Sequence, residues 1–288
     1  MSSALESKPP RRLRLGLALS GGGARGLAHI GVLKVLEREG IAVDCLAGTS
    51  MGGVIAAAYA AGMSPGELEK EALAATRLRH LVSLADPGLP EGGLLRGERL
   101  RAYFERHLGQ WTFSDLRLPL TLVAVDLNTG QEVLLRQGSV AQALRATVAI
   151  PGLLAPVELD GQRLVDGGVL NNLPVDAVRQ MGAEAIVAVD VTPEVGHATG
   201  YWLGNLRWVP DGFQETLAAL SDTVAAMMGT MAQQKVRAAQ PDILIRPRLP
   251  AGVGVLAGYG RARELIAAGE FAGEEALPLI RARLGTTA

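Results

Sequence analysis

An apolar run, Val43 to Ala47, stops at Gly48, and a small-residue run of helical character, Val54 to Ala61, begins almost at once. Between them stands Gly48-Thr49-Ser50-Met51-Gly52, a Gly-x-Ser-x-Gly turn in the strand–turn–helix setting that the nucleophile-elbow pattern needs. No other stretch restricts the fold as much. So tight a turn holds its serine in a strained backbone conformation, and Cβ atoms at Gly48 and Gly52 would collide with the flanking strand and helix. The hydroxyl is thereby raised over a helix N-terminus, where negative charge is stabilised. Taken alone, the turn also has a plainer reading, in which the serine only caps the helix behind it.

The surrounding order extends the constraint. Leu13 to Leu19 reads as a strand, Ser20 to Gly26 as a glycine loop, and Leu27 to Glu39 as a helix stopped by Gly40. With the second strand and the elbow this is β–loop–α–β–turn–α, which predicts neighbouring parallel strands covered by helices, an α/β fold. Downstream, Ser64-Pro65-Gly66-Glu67 has the form of a capping box opening a helix to about Thr76. Residues 77–97 read as a Gly- and Pro-rich loop at the rim of a cleft, and Glu98 to Leu108 as a helix. Two hairpins follow, one turning through Asn128-Thr129-Gly130 and one at Asp160-Gly161, with a helix over Ser139–Val148 between them. A helix over Pro174–Met181 leads to Ala185–Val191, apolar throughout and suited to the interior of a parallel sheet. The tail of the chain reads as a loop over 196–212, a long helix over Phe213–Ala239, a strand over Asp242–Ile245, and two closing helices over Arg261–Ala268 and Leu277–Leu284.

A chain of 288 residues that is 48% hydrophobic can bury a sizeable core in one large domain. Its formal net charge of −1 argues against nucleic acid as the main partner, because phosphate binding needs a concentrated positive field. The single cysteine, Cys45, excludes an internal disulfide framework and suits a reducing, cytoplasmic setting as a buried apolar residue. Lys8, Arg11, Arg12 and Arg14 make the N-terminus basic, and the apolar run behind them is too short for an export signal or a membrane span. That cluster reads first as a solvated disordered tail and second as a contact with anionic lipid headgroups at a membrane surface.

Three loops carry the candidate chemistry. Gly21-x-Gly23-x-x-Gly26 matches the dinucleotide fingerprint, but the acid that would hold the ribose is missing from the end of the second strand, where the serine turn stands. A phosphate-binding P-loop fails sooner, since no Gly-Lys-Ser/Thr follows. The other role for the loop is an oxyanion hole in which successive glycine amides turn inward, with Arg25 adding positive charge. A nucleophilic serine needs a base, and the chain has four histidines. His29 sits in the helix behind the glycine loop as a packed or surface residue, and His80 and His107 lie near helix ends. Only His197 follows the candidate acids in the order that a Ser–Asp–His hydrolase has, and it stands in an irregular loop. Asp166, in Asp166-Gly167-Gly168 after an apolar strand, is the alternative base, although the same residues also read as a simple turn. A free aspartate is too acidic for this work at neutral pH, and partial burial would raise it. Asp190 is a second carboxylate at a strand end, read as a structural acceptor.

Together, Gly21-Gly22-Gly23-Ala24-Arg25-Gly26, Gly48-Thr49-Ser50-Met51-Gly52 and Asp166-Gly167-Gly168 occur in an order and setting that resemble the patatin-like phospholipases. Ala149 to Pro156 and Asn171-Asn172-Leu173-Pro174 add to the likeness, which spans about Leu15 to Val191. The resemblance implies a three-layer α/β/α fold with a mainly parallel central sheet. It also implies a Ser50–Asp166 dyad that hydrolyses acyl esters of lipids without metal or cofactor. The oxyanion would be held by the loop Gly21, Gly22, Gly23, Ala24, Arg25 and Gly26 together with the Met51 amide. On this reading residues 1–12 are the tail, 13–192 the catalytic domain, and 193–288 a helical extension packed on that domain. Leu94-Leu95 and the Trp202–Trp208 loop are candidate contacts for acyl chains or a bilayer, or ordinary packing. Two other readings stay open: a hydrolase that uses His197 as base, and a regulatory or adaptor protein docking through Leu217, Leu220, Val224, Met227, Met228 and Met231 of the long helix.

Overall fold

The computed structural model describes residues 12–75, 86, 93–192, 211–254 and 257–285. His80, His197, Trp202, Trp208, residues 1–11 of the expected tail and most of the two expected loops lie outside them. The first apolar run forms β1 (Leu15–Leu19), and the glycine loop tightens into a 3-10 turn (Gly23–Leu27) that runs into α1 (Ala28–Arg38). Then come β2 (Cys45–Thr49), α2 (Met51–Ala60) and α3 (Pro65–Ala75). The Ser64 amide donates to Glu67 Oε2 at 2.8 Å and the Glu67 amide to Ser64 Oγ at 3.3 Å, which closes the capping box at the start of α3. Next are β3 (Gly93–Leu95), α4 (Glu98–Leu108), the hairpin β4 (Leu120–Asp126) and β5 (Gln131–Leu135), and α5 (Val140–Thr147), capped by the Ser139 side chain. The chain continues through β6 (Gly152–Leu154), β7 (Val157–Leu159), β8 (Gln162–Asp166), α6 (Val175–Gln180) and β9 (Ala185–Val189). It closes with α7 (Asp211–Ala239), β10 (Ile243–Ile245) and α8 (Ala262–Leu284).

The main sheet runs β10-β9-β1-β2-β4-β8-β7, with β5 also paired to β4. From β10 to β4 every pairing is parallel, while β5, β8 and β7 join antiparallel. β1, β2, β4 and β9 are buried along their whole length, as apolar strands covered on both faces must be. Alternation divides their side chains between two cores. Leu15, Leu17, Leu46, Val187 and Ile245 face Ile30, Leu33, Ile55 and Leu265 of the helices on one side. Ala18, Cys45, Ala47 and Ile186 face Val175, Val178 and Val236 on the other. The result is the three-layer α/β/α arrangement.

Two boundaries differ from the sequence reading. β2 begins and ends two residues later than expected, because Gly48 and Thr49 still pair with β1 and β4; Gly48 is part of the strand and not its stop. The two closing helices are one. Gly269 does not interrupt it, since a Cβ there would lie 1.9 Å from Ala28 O, and one at Gly31 would lie 2.0 Å from Ile266 O. These glycines let the backbones of α1 and α8 touch, and the continuous helix is stabilised by that contact.

Candidate active site

β4 has two edges and three partners, and this decides what meets at the site. β5 pairs with Leu122–Asp126, overlapping both the register of β2 on Leu120–Val123 and that of β8 on Ala124–Asp126. β5 therefore occupies one edge, and β2 and β8 share the other, end to end. Thr49 stands opposite Val123 and Asp166 opposite Ala124, which are consecutive residues. Because β8 runs against β2, their C-terminal ends meet head-on, and Ser50 and Asp166, 116 positions apart in the chain, come near one another.

Ser50 has φ 52° and ψ −126°, a backbone region that side-chain-bearing residues rarely adopt and that costs about 1–3 kcal/mol. Its neighbours leave no alternative. A Cβ at Gly48 would sit 2.6 Å from Gly52 O, and one at Gly52 would sit 2.4 Å from Leu19 O. The Ser50 amide donates to Thr147 Oγ1 at 3.0 Å, and Thr147 Oγ1 donates to Val123 O at 2.6 Å. The Ser50 hydroxyl makes no cap bond to α2, so the helix-capping reading fails. The hydroxyl lies close enough to the carboxylate of Asp166 to favour its charged form.

Asp166 is 3% exposed. Its amide donates to Ala149 O at 3.0 Å, and its Oδ1 accepts the Gly168 amide at 2.8 Å. Burial pushes its carboxyl up to about 6, more than the Gly168 amide and the Ser50 hydroxyl pull it down. Gly167 fits here because a Cβ would lie 2.4 Å from Val123 O. A point one bond out from Gly168 lies 2.8 Å from Met228 Cε and 3.1 Å from Asp166 Oδ1, so the methyl end of a half-buried methionine of α7 stands beside the carboxylate. A carboxylate with this affinity for protons can take one from a hydroxyl at neutral pH.

The glycine loop lies next to the elbow, with Ser50 Cβ 3.1 Å from the place of a Cβ on Gly21. The Gly21 amide donates to Asn172 O at 3.0 Å, Asn172 Nδ2 donates to Gly21 O at 3.2 Å, and the Arg25 amide donates to Gly22 O at 3.2 Å. Gly21 and Arg25 therefore shape the loop with amides already committed, and Gly26 packs against Met51. The amides of Gly22, Gly23 and Ala24, at the start of the 3-10 turn, and of Met51, at the start of α2, have no backbone acceptor among the described residues. Gly23 has φ 55°, a left-handed conformation that glycine adopts without strain. The Arg25 guanidinium reaches the carbonyls of Val191, at 2.6 Å, and Val253, at 3.3 Å, so it ties the loop to the C-terminal segment.

The other candidates lie elsewhere. His29 is fully buried beneath the loop. His107 Nδ1 donates to Tyr103 O at 2.8 Å within its own helix α4, outside this site. Asp190 accepts the Thr192 amide at 3.0 Å and Arg246 Nε at 3.2 Å, a structural acceptor as its position at a strand end suggests. Sequence reasoning gave no part to Thr147, whose only signal is a hydroxyl at the end of an apolar helix. It quoted Asn171 and Asn172 without a role; Asn171 O accepts from Thr49 Oγ1 at 2.8 Å. Among the described residues no group of three His, Cys, Asp or Glu side chains is placed to hold a metal, and no helix is long and apolar enough to cross a membrane.

The sequence pattern of the patatin-like phospholipases matches residues 17–179. An uncharacterised NTE family protein of Mycobacterium tuberculosis is 36% identical over 212 residues, 71% of this chain and 58% of that protein. Patatin-like phospholipase domain-containing protein 6 of Mus musculus is 36% identical over 183 residues, 62% of this chain and 13% of that protein. The chain thus spans less than two thirds of the length of these relatives. VipD from Legionella pneumophila aligns over 95% of this chain and 67% of that one at 14% identity, with a TM-score of 0.49.

Proposed function

Since the chain belongs to the patatin-like phospholipase family, we propose that it is a serine acyl hydrolase of lipid carboxylic esters, with Ser50 as nucleophile and Asp166 as base. Ser50 Oγ attacks the ester carbonyl while Asp166 takes its proton. The amides of Gly22, Gly23, Ala24 and Met51 hold the oxyanion, each donor worth about 3 kcal/mol in the transition state. The alcohol leaves with the proton from Asp166, and water, deprotonated by Asp166, cleaves the acyl-enzyme. The observation that carries this reading is the meeting of a strained, capless serine and a buried carboxylate of raised pKa at one point of the sheet. Met228 supplies an apolar wall beside the dyad, and the exposed Met227 next to it an apolar point where the rim can meet a lipid surface.

The adaptor reading has less support. Of the residues it names on α7, the side chains of Leu217, Leu220 and Val224 lie outside those described, Met228 faces Gly168 and serves the chain's own packing, and Met227 is exposed. The test is labelling by a fluorophosphonate and hydrolysis of p-nitrophenyl butyrate by the wild type, Ser50→Ala and Asp166→Asn. The wild type is expected to label and turn over, and both variants to lose turnover while folded. A folded Ser50→Ala variant that still hydrolyses the ester would reject the reading, and a wild type that captures a partner but neither labels nor hydrolyses would favour the adaptor.

A further inference from the structure

His29 is a buried histidine for which the proposed chemistry has no use. It stands in the first turn of α1 with none of its surface exposed, and Nε2 lies 2.8 Å from Ser20 O. A carbonyl oxygen only accepts, so Nε2 carries the proton and the ring is the Nε2–H tautomer. Nδ1 is buried without a hydrogen-bond partner among the described residues. Burial holds the ring neutral, with its pKa pushed down to about 4. A ring kept for packing alone would be better served by leucine, which leaves no nitrogen unpaired.

What the ring holds is the peptide unit that leads into the glycine loop. The oxygen of the Ser20–Gly21 peptide accepts from His29, and the N–H of the same unit donates to Asn172 O at 3.0 Å, so this one plane is pinned at both ends. The rest of Ser20 is held as well: its amide donates to Val189 O at 3.1 Å, and its Oγ accepts the Val191 amide at 2.9 Å. The Ser20 oxygen also touches the other half of the site, lying 2.5 Å from where a Cβ on Gly52 would be. Loop and elbow thus meet at this carbonyl, and the open amides of Gly22, Gly23 and Ala24 follow it directly.

We infer that His29 is a positioning residue: by holding the Ser20 carbonyl against Gly52 it sets the glycine-loop amides at the distance from Ser50 that an oxyanion needs. This rests on the hydrolase reading above. The experiment compares wild type, Ser50→Ala, His29→Leu and His29→Gln for fluorophosphonate labelling rate, kcat and KM on p-nitrophenyl butyrate, with near-ultraviolet circular dichroism to certify folding. Folded His29→Leu should lose about tenfold or more in labelling rate and kcat with KM within about twofold, because misplaced donors weaken the transition state and not substrate binding. His29→Gln keeps an N–H within reach of Ser20 O and should stay within about threefold of wild type on both rates.

A folded His29→Leu variant with wild-type rates overturns the inference, and so does a folded His29→Gln variant that loses about tenfold or more. Should leucine prevent folding, the glutamine variant decides, together with the 15N shifts of the wild-type ring, where an Nδ1–H tautomer overturns it. A wild type that neither labels nor hydrolyses removes the hydrolase reading and this one with it. A labelled wild type with an indifferent His29→Leu removes this one alone.

Discussion

The amide of Ser50 and the hydroxyl of Thr147 are hydrogen-bonded at 3.0 Å, and the same hydroxyl donates to Val123 O at 2.6 Å. A strained residue is thus tied through one side chain to β4, where Val123 and its neighbour Ala124 stand opposite the two strand ends that meet at the site. Thr147→Val keeps the shape and leaves both a buried N–H and a buried carbonyl without this partner. It should lower stability by about 1–3 kcal/mol in urea unfolding, and it should reduce kcat about tenfold or more as the elbow relaxes. Thr147→Ser should restore most of both. Unchanged stability and turnover in the valine variant would mean that the elbow holds itself.

Turnover should follow the protonation of Asp166. Its carboxyl releases its proton near pH 6, and only the ionised form can accept the proton of Ser50, so kcat/KM should rise with pH through about 6 and level off above. A profile flat from pH 5 to 8, or one that falls over that span, contradicts Asp166 as the base.

Stability should run the other way. The folded pKa of Asp166 is raised above the ordinary value of 3.8, so between about pH 4 and 6 the folded chain retains a proton that the unfolded chain has released. Raising the pH across that window therefore destabilises the fold, by roughly 3 kcal/mol at most once the carboxylate is charged. Asp166→Asn removes this charge and keeps an oxygen for the Gly168 amide. At pH 8 it should abolish turnover and leave the thermal midpoint equal to or above that of the wild type, whereas a midpoint lower by several degrees would mean that the buried charge supports the fold.

Met228 should govern both solvation and acyl preference. Its methyl end stands beside the Asp166 carboxylate at Gly168. Among the described residues no charged neighbour competes in setting the shift: on the elements packed around Asp166, Lys235 pairs with Glu132 and Asp176, Asp126 accepts from Asn128, Thr129 and Arg163, Arg163 lies 3.9 Å from Glu158, and Arg145 is held by backbone carbonyls. Met228→Ala should admit water, move the acidic limb of the pH profile below that of the wild type, and reduce the preference for long over short p-nitrophenyl esters. Met228→Leu should change neither. Coincident profiles and chain-length ratios for wild type and the alanine variant would take the residue out of the site.

A last expectation concerns the fold away from the site. Gly269→Ala places a methyl where Ala28 O already stands 1.9 Å away, so α1 and α8 must separate. We expect a loss of more than about 3 kcal/mol in urea unfolding, in the upper range for single substitutions. Near-wild-type stability would mean that the two helices slide apart at little cost.

The elements nearest the elbow were legible because their signals are local. Ser64 and Glu67 cap α3, Asn128 to Gly130 turns a hairpin, and the glycines at 48 and 52 have the steric reason expected of them. The closing helices were misread because Gly269 looks like a break in one dimension, and only the presence of Ala28 against it reveals a packing contact. Thr147 was passed over for a similar reason: a threonine ending an apolar helix carries no mark of the amide it will meet.

From order and spacing alone, the chain declared an α/β architecture, a strained serine on a turn, a glycine loop beside it, and a carboxylate at a strand end. These follow from contacts among residues close in sequence. Tertiary structure decided which groups meet: β8 lies end to end with β2 along one edge of β4, which brings Ser50 near Asp166, and Asn172 and His29 hold the loop whose own motif does not name them. Those contacts depend on strand registers and burial, and neither exists until distant segments have packed; the pairing of Ser50 with Asp166 was reached from three motifs taken together through their resemblance to a family, and no single local pattern announces it or the parts of Asn172 and His29.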